Sequence, residues 1–142
     1  MARHRGRELA LRVLFEQDLA HTEAEELLRR VLIGEPEDIQ RFTRDLVLGT
    51  LQHRDELDAM ISQAAIDWKL HRMPTIDRNI LRLATFEIVY APDTPISVII
   101  NEALELAQDY STDDAKKFVN GVLATLSKSV RPEGDRDKPA NQ

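Results

Sequence analysis

The first residues of the chain concentrate side chains that can bind an anion. Arg3, Arg5 and Arg7 alternate with His4 and Gly6 in the stretch RHRGR. The first twelve residues hold four arginines against one glutamate, whereas the whole chain has a formal net charge of −6. Guanidinium groups bind phosphates through paired N–H donors and also stack on bases. This arginine head on an acidic body indicates a polyanionic partner; the alternative is a frayed terminus that only aids solubility.

A second group of basic and aromatic residues lies in the stretch DDAKKFVNGV, residues 113–122. Lys116 and Lys117 precede Phe118, which lies beside an apolar stripe at helical spacing. A half-exposed ring between lysines can stack on a base while the lysines bind the backbone of a single strand. The residues leave a second interpretation open, in which Phe118 belongs to the core and the lysines are ordinary surface charge.

The residue types that enzymes use show no comparable grouping. The sequence contains no cysteine, which excludes disulfides, thiolate metal sites and a cysteine nucleophile. Its four histidines are scattered, and it has neither an H-E-x-x-H motif nor a glycine-rich phosphate loop. Glu102, Glu105 and Asp109 follow one side of a helical segment, which is typical of a solvated face. We therefore expect no enzymatic activity, no cofactor and no metal site.

Helical periodicity runs along nearly the whole chain, so helices are expected to position the two basic groups. Apolar residues recur at intervals of three and four in about seven segments. We predict an all-α fold of about seven helices in two small subdomains, packed as one compact domain over residues 1–130. The stretch DWKLHRMP, residues 67–74, marks the boundary between the subdomains. Residues 131–142, which have two prolines and no apolar periodicity, are expected to form a disordered tail.

Polar and small residues carry further local predictions. Four residues are predicted to cap helix N-termini: Thr22, Asp55, Thr75 and Thr112. Three charged residues of the fifth helical segment are expected to face solvent: Arg78, Arg82 and Glu87. Two glycines are expected where helices approach closely: Gly49 and Gly121.

The chain carries no sequence signal for a membrane or for secretion. No apolar run reaches the roughly 18 residues that a membrane-spanning helix needs. The basic N-terminus is not followed by the continuous apolar segment of a signal peptide. We expect a cytoplasmic protein.

Five segments, in this order and spacing, resemble the NusB family of bacterial transcription antitermination factors: RHRGRELALRVLFEQDLA, FTRDLVLGTL, DRNILRLATFEI, SVIINEALELAQDYSTDD and KFVNGVL. The resemblance covers about residues 3–130. It implies an all-helical protein without enzymatic activity that binds the single-stranded boxA element of nascent ribosomal RNA transcripts. It also implies a protein partner, the small-subunit ribosomal protein NusE, and a place in the complex that keeps RNA polymerase processive.

The resemblance also assigns roles to individual residues. Six correspond to RNA-binding positions: Arg3, Arg5 and Arg7 in the arginine head, and Asp114, Lys117 and Phe118 around the KFVNG motif. Two correspond to the surface that faces NusE: Phe15 and Asp77. The family often has denser basic residues where this chain has His4 and Gly6, which leaves its affinity for RNA without NusE open.

Two other functions stay open on the sequence. The same helical fold resembles the N-terminal RNA-binding domain of ribosomal RNA cytosine methyltransferases, although this chain has no cysteine to attack a cytosine ring. A stand-alone helical adaptor without RNA contact is the other alternative. The oligomeric state, including a homodimer that hides the arginine head, and the preferred boxA sequence are also open.

Overall fold

A computed structural model of the chain describes residues 2–135, without the side chain of Ala2. Within this range the chain forms seven α-helices, one short 3₁₀-helix and no strand, which confirms the all-α prediction. The helices are α1 (Ala2–Ala20), α2 (Ala24–Val31), α3 (Glu37–Gln52), α4 (Arg54–Ala64), α5 (Thr75–Tyr90), α6 (Ile96–Tyr110) and α7 (Asp113–Val130). None of these helices is long and apolar enough to cross a membrane.

Helix α5 lies at the centre of the packing. It contacts α1, α3, α4, α6 and α7, and ten of its sixteen residues are buried. One apolar cluster surrounds it and runs from Leu9 in α1 to Leu126 in α7. The 3₁₀-helix Leu70–Arg72 lies in the segment where we expect the boundary between subdomains. The apolar cluster takes residues from both sides of this segment and does not divide there. The boundary between subdomains therefore stays a prediction.

The central position of α5 makes the prediction of its solvent-facing charges wrong. Arg82 and Glu87 are only 7% and 3% exposed, and Arg78 is half-buried. Arg82 donates hydrogen bonds to Asp58 of α4 and Asp18 of α1, at 2.7–3.0 Å. The helical spacing of the charges is that of a solvent face, but neighbouring helices supply a partner for each of them.

Of the four predicted N-caps, only Thr112 is confirmed. Its hydroxyl oxygen accepts a hydrogen bond of 3.0 Å from the backbone N–H of Ala115. Thr22, Asp55 and Thr75 do not cap α2, α4 and α5. The residues at those cap positions are Glu23, His53 and Pro74, and no side-chain cap hydrogen bond forms there.

The start of the expected tail packs against the end of α5. Arg131 donates hydrogen bonds of 2.9–3.1 Å to three backbone carbonyls, those of Ile88, Ala91 and Thr94. Asp135 accepts hydrogen bonds from Arg131 and from the backbone N–H of Ile96, the first residue of α6. The structure therefore differs from the expected disordered tail over residues 131–135. Residues 136–142 lie outside the described part of the chain.

The two glycines predicted at close helix contacts have different environments. A Cβ at Gly49 would overlap the ring of Phe86 in α5, which confirms a close approach of α3 and α5. A Cβ at Gly121 would meet no heavy atom within 4 Å, so the prediction is wrong there.

Gly49→Ala should therefore destabilise the protein. Overpacking costs about 1–3 kcal/mol, and the better helix propensity of alanine offsets about 1 kcal/mol of it. The severe overlap with the Phe86 ring puts Gly49→Ala in the upper part of that range, at about 2–3 kcal/mol, so we expect a net loss of about 1–2 kcal/mol in the free energy of unfolding, measured by urea denaturation. Gly49→Ala/Phe86→Leu should recover part of the loss. A Gly49→Ala protein as stable as the wild type would contradict the close approach.

Candidate nucleic-acid interface

Arg7 of the arginine head lies in the interior of the protein. It is 3% exposed, and its Nε and Nη2 each donate a hydrogen bond of 2.8 Å to Glu87 of α5. Its Nη1 lies 3.6 Å from Oε1 of Glu102 in α6. Arg7, which is predicted with Arg3 and Arg5 to bind RNA, is therefore not exposed to a ligand in this structure. The reason is that α1 begins at Ala2, so its first two turns already pack against other helices.

The electrostatics of Arg7 are those of a structural ion pair. Burial disfavours the charged guanidinium, but the hydrogen bonds and charge of Glu87 outweigh it and raise the pKa of Arg7. The bidentate geometry satisfies both carboxylate oxygens. Removing one partner would leave the other charge buried and unpaired, which is strongly destabilising. Arg7 therefore fixes α1 against α5.

Arg3 is the arginine of the head that is exposed to solvent. Its guanidinium carbon lies 4.8 Å from the centre of the Phe42 ring in α3, a cation–π distance. A Cβ at Gly6 would overlap the same ring. The interruption of the arginine run at Gly6 thus has a packing reason, since the missing side chain lets Phe42 reach α1.

Arg5 is partly exposed, and two carboxylates orient it. Its guanidinium donates to Glu35 at 2.9 Å and to Glu8 at 2.6 Å, and its side chain is 42% exposed. The hydrogen bond to Glu35, followed by that to Glu8, raises the pKa of Arg5. A phosphate that binds Arg5 must compete with these two acids.

The remaining polar groups near the head attach α1 to α6. His4 Nδ1 lies 2.9 Å from Oε1 of Glu102 and 4.0 Å from Oε1 of Glu105. The hydrogen bond with Glu102 raises the pKa of His4. Glu8 accepts a hydrogen bond of 2.8 Å from the hydroxyl of Tyr110, which lowers the pKa of Glu8. The arginine head is therefore anchored along one side of α6.

The same side chains include the residues that come nearest to a metal site in the described part of the chain. His4, Glu102 and Glu105 offer ligand atoms within 4.8 Å of one another. The guanidinium of Arg7, however, lies 3.6 Å from the Glu102 oxygen that His4 contacts. A fixed positive charge at that distance disfavours a cation. The arrangement is better explained as an internal ion-pair network.

The second basic group forms one face of α7. Asp114, Lys117, Phe118 and Gly121 recur at the three- and four-residue spacing that puts side chains on one side of a helix, and all but Phe118 are exposed. Lys116 instead donates a hydrogen bond of 2.6 Å across to α6. Of the two lysines, Lys117 therefore belongs to this α7 face.

Phe118 combines the two interpretations that the sequence leaves open. The residue is half-buried and packs against the apolar core. Its ring also meets the ring of Trp68 edge to face, with centroids 5.8 Å apart and planes at 67°. Trp68 lies in the loop before the 3₁₀-helix and is 55% exposed. The two rings together form an aromatic surface that reaches solvent.

Helix α6 connects the arginine head with the start of α7. An open groove runs over it, lined by Asn101, Leu104, Glu105, Gln108, Asp109 and Lys116. Glu105 lies beside His4 at one end, and Gln108 accepts the hydrogen bond from Lys116 at the other. Glu105 and Asp109 line this groove between the arginine head and α7, which disfavours a phosphate within it.

Phe15 and Asp77, expected on the surface that faces NusE, lie near the junction of α1 and α5. Phe15 is half-buried, one turn before Asp18, which accepts a hydrogen bond of 3.0 Å from Asn79. Asp77 is only 5% exposed and accepts a hydrogen bond of 2.6 Å from Ser111. Asp77 thus fastens the loop between α6 and α7 rather than standing on an open surface.

Three residues of this region have roles that the sequence does not predict. Glu87 has the spacing of a surface residue, and its pairing with Arg7 depends on the position of α1. Phe42 has the spacing of a core residue, although its ring also contacts the guanidinium of Arg3. Trp68 lies in a stretch that breaks the helical pattern, and its one signal is an aromatic residue followed by a lysine.

Known proteins resemble this chain over nearly its whole length. The model of the NusB family matches residues 4–128. A transcription antitermination protein NusB from Desulforamulus reducens is 46% identical over 129 residues, which cover 89% of this chain and 90% of that one. The structure of T. maritima NusB superposes with a TM-score of 0.87 at 33% identity and covers 92% of this chain and 94% of its own. A chain in the crystal structure of antitermination factors NusB and NusE with dsRNA superposes with a TM-score of 0.82 at 28% identity, covering 91% and 99%.

Arg7→Ala should lower the free energy of unfolding by about 3–5 kcal/mol, because it leaves Glu87 buried without its partner. Arg7→Met/Glu87→Leu should recover most of this loss, since apolar side chains of similar volume replace buried ion pairs well. Arg3→Ala, at an exposed position, is the control and should stay within about 0.5 kcal/mol of the wild type. Urea denaturation of the three variants checks this. An Arg7→Ala effect as small as that of Arg3→Ala would contradict a structural role.

The pair of His4 and Glu102 should make stability depend on pH. The raised pKa of His4 means that its contribution is fully present below the ordinary value of 6.5 and is lost as the pH rises through the folded-state value. The difference in unfolding free energy between wild type and His4→Gln should therefore shrink from pH 5.5 to pH 8.5. A difference that stays constant over this range would show that the pair does not titrate.

Proposed function

This chain belongs to the NusB family, and from that premise we propose that it is a transcription antitermination factor that binds RNA together with NusE. Its close relative carries that function in its name, and a structural relative was crystallised with NusE and RNA. The observation that carries the proposal for this chain is the α7 face, where Lys117 lies beside the half-buried ring of Phe118. A cation and a ring at this spacing suit a nucleic-acid strand.

The RNA that we propose is the single-stranded boxA element of nascent ribosomal RNA transcripts. Phe118 can contribute by stacking only if a base is free to leave its own stack, as in a single strand. A duplex offers phosphates and 2′-hydroxyl groups to Lys117 but keeps its base faces covered. Because the structural relative contains dsRNA, the single strand has to be compared directly with a duplex of the same sequence.

Within the arginine head, we assign phosphate binding to Arg3 and Arg5 and a supporting role to Arg7. Arg3 is exposed, and Arg5 is partly exposed beside its two carboxylates. Arg7 holds the helix that carries them, through its pair with Glu87. Because the body of the protein is acidic, phosphates are attracted to places where basic side chains lie together at the surface.

For NusE we propose the surface around Phe15, at the junction of α1 and α5. Phe15 is half-buried and offers part of its ring to a partner. Asp77 supports this surface through Ser111 and not through a contact of its own. The role is one of binding, without catalysis, and it belongs to the cytoplasm, where RNA polymerase makes the transcripts of bacteria.

The salt dependence of RNA binding tests the assignment of the head. Each phosphate contact on a single strand contributes about 0.7 to the slope of log affinity against log salt. Arg3→Ala/Arg5→Ala should lower the slope by about 1.4 for boxA RNA in fluorescence anisotropy. Arg29→Ala/Arg41→Ala removes two exposed arginines of α2 and α3 and serves as the control. Equal slopes for the two double variants would contradict the assignment.

Reconstitution with purified NusE tests the function itself. We expect the single-stranded boxA RNA to bind more tightly in the presence of NusE than in its absence, and a duplex of the same sequence to bind more weakly than the single strand. A protein that binds NusE but neither form of the RNA would instead be a helical adaptor. Tighter binding of the duplex would overturn the single-strand assignment.

A further inference from the structure

Gly121 is a helix-interior glycine that the packing of the chain does not explain. Gly6 and Gly49 each lie against an aromatic ring, whereas a Cβ at Gly121 would meet nothing within 4 Å. Glycine in a helix interior is less stable than alanine by about 1 kcal/mol. Helix α7 therefore gives up stability at a position where no neighbour within the described chain needs the space.

The bare backbone at Gly121 lies beside the two side chains already assigned to RNA. Lys117 and Phe118 precede it by four and three residues, which makes all three neighbours on the surface of α7. The missing side chain leaves the helix backbone open to solvent three residues after Phe118. A close approach of a ligand to the backbone is one of the established uses of glycine.

Trp68 extends the same surface beyond α7. It is 55% exposed, and its ring stands at 67° to the ring of Phe118. Phe118 is held by the core, so it fixes one edge of Trp68 while leaving more than half of the residue open to solvent. The exposed Lys69 follows Trp68 in the chain, and the exposed Lys117 precedes Phe118. Aromatic faces with lysines next to them favour a polyanion with flat groups over a neutral partner.

We propose that Trp68, Phe118 and Gly121 form one composite site for an unpaired base of the RNA. The base stacks on the exposed part of Trp68, the strand passes over the bare backbone at Gly121, and Lys117 binds a phosphate of the strand. This inference rests on the proposed function and deepens it, because it places a second aromatic side chain, from a different part of the chain, in the RNA site.

Trp68 is the single tryptophan of the chain, which makes its fluorescence a direct probe of the site. Titration of the wild type with single-stranded boxA RNA should quench this fluorescence, with the same midpoint as the anisotropy of labelled RNA. Stacking that is worth about 1–3 kcal/mol per base corresponds to about a 5- to 150-fold loss of affinity in Trp68→Ala. Trp68→Phe should retain most of the affinity. Saturation of RNA binding without any change in fluorescence would overturn the proposal.

Gly121→Ala gives a second readout that a merely structural role would not produce. The variant should unfold at a higher urea concentration than the wild type, because alanine favours the helix, and yet bind RNA severalfold more weakly. Ile66→Ala, in the same loop as Trp68 and 86% exposed, is the control and should leave RNA affinity unchanged. A Gly121→Ala protein that binds RNA as well as the wild type would contradict a close approach of the strand to the backbone at Gly121.

The outcomes separate this inference from the function on which it rests. If Lys117→Ala weakens RNA binding but Trp68→Ala and Gly121→Ala do not, the composite site is wrong and the proposed function stands. If the wild type with NusE binds no RNA, both are wrong. If Trp68→Ala impairs binding of NusE and leaves RNA binding intact, the aromatic surface belongs to a protein interface and the inference fails.

Discussion

The buried ion pair between Arg7 and Glu87 is the constraint on which the arrangement of the first helix depends. Its two hydrogen bonds of 2.8 Å join side chains that are almost entirely removed from water. A charge left unpaired at such a position costs several kcal/mol, so α1 must dock on α5 in the register that brings the two together. That register also decides where Arg3, His4 and Arg5 point, and hence which basic groups stay available to a ligand.

Structural and binding roles are therefore divided within one short stretch. Arg7 and His4 hold α1 against α5 and α6, while Arg3 and Arg5 keep contact with solvent. The same division recurs in α7, where Lys116 bonds to α6 and Lys117 faces outward. In both places one basic side chain is held by a partner within the protein while a neighbouring one stays exposed.

The sequence predicts the helices well, their N-caps in one case of four, and contacts between distant segments poorly. The helices and the cap at Thr112 follow from periodicity and from the bonding of a hydroxyl to the next turn, which are properties of neighbouring residues. The burial of Arg82 and Glu87 depends on partners in α1 and α4, which no spacing along α5 reveals. Whether Phe118 is a core or a surface residue is open on the sequence for the same reason, because its ring contacts Trp68, which is fifty residues away. Gly121 shows the same limit, since the glycine in the helix predicts a close helix contact that the described chain does not make there.

The salt dependence of RNA binding by Arg7→Met/Glu87→Leu tests most directly whether Arg7 supports the arginine head or belongs to the RNA site. The double substitution leaves the net charge unchanged and replaces a buried pair by apolar side chains. If Arg7 acts only by positioning α1, the folded variant binds boxA RNA with the same slope of log affinity against log salt as the wild type. A slope lower by about 0.7 would mean that Arg7 leaves Glu87 to bind a phosphate, and would contradict this account.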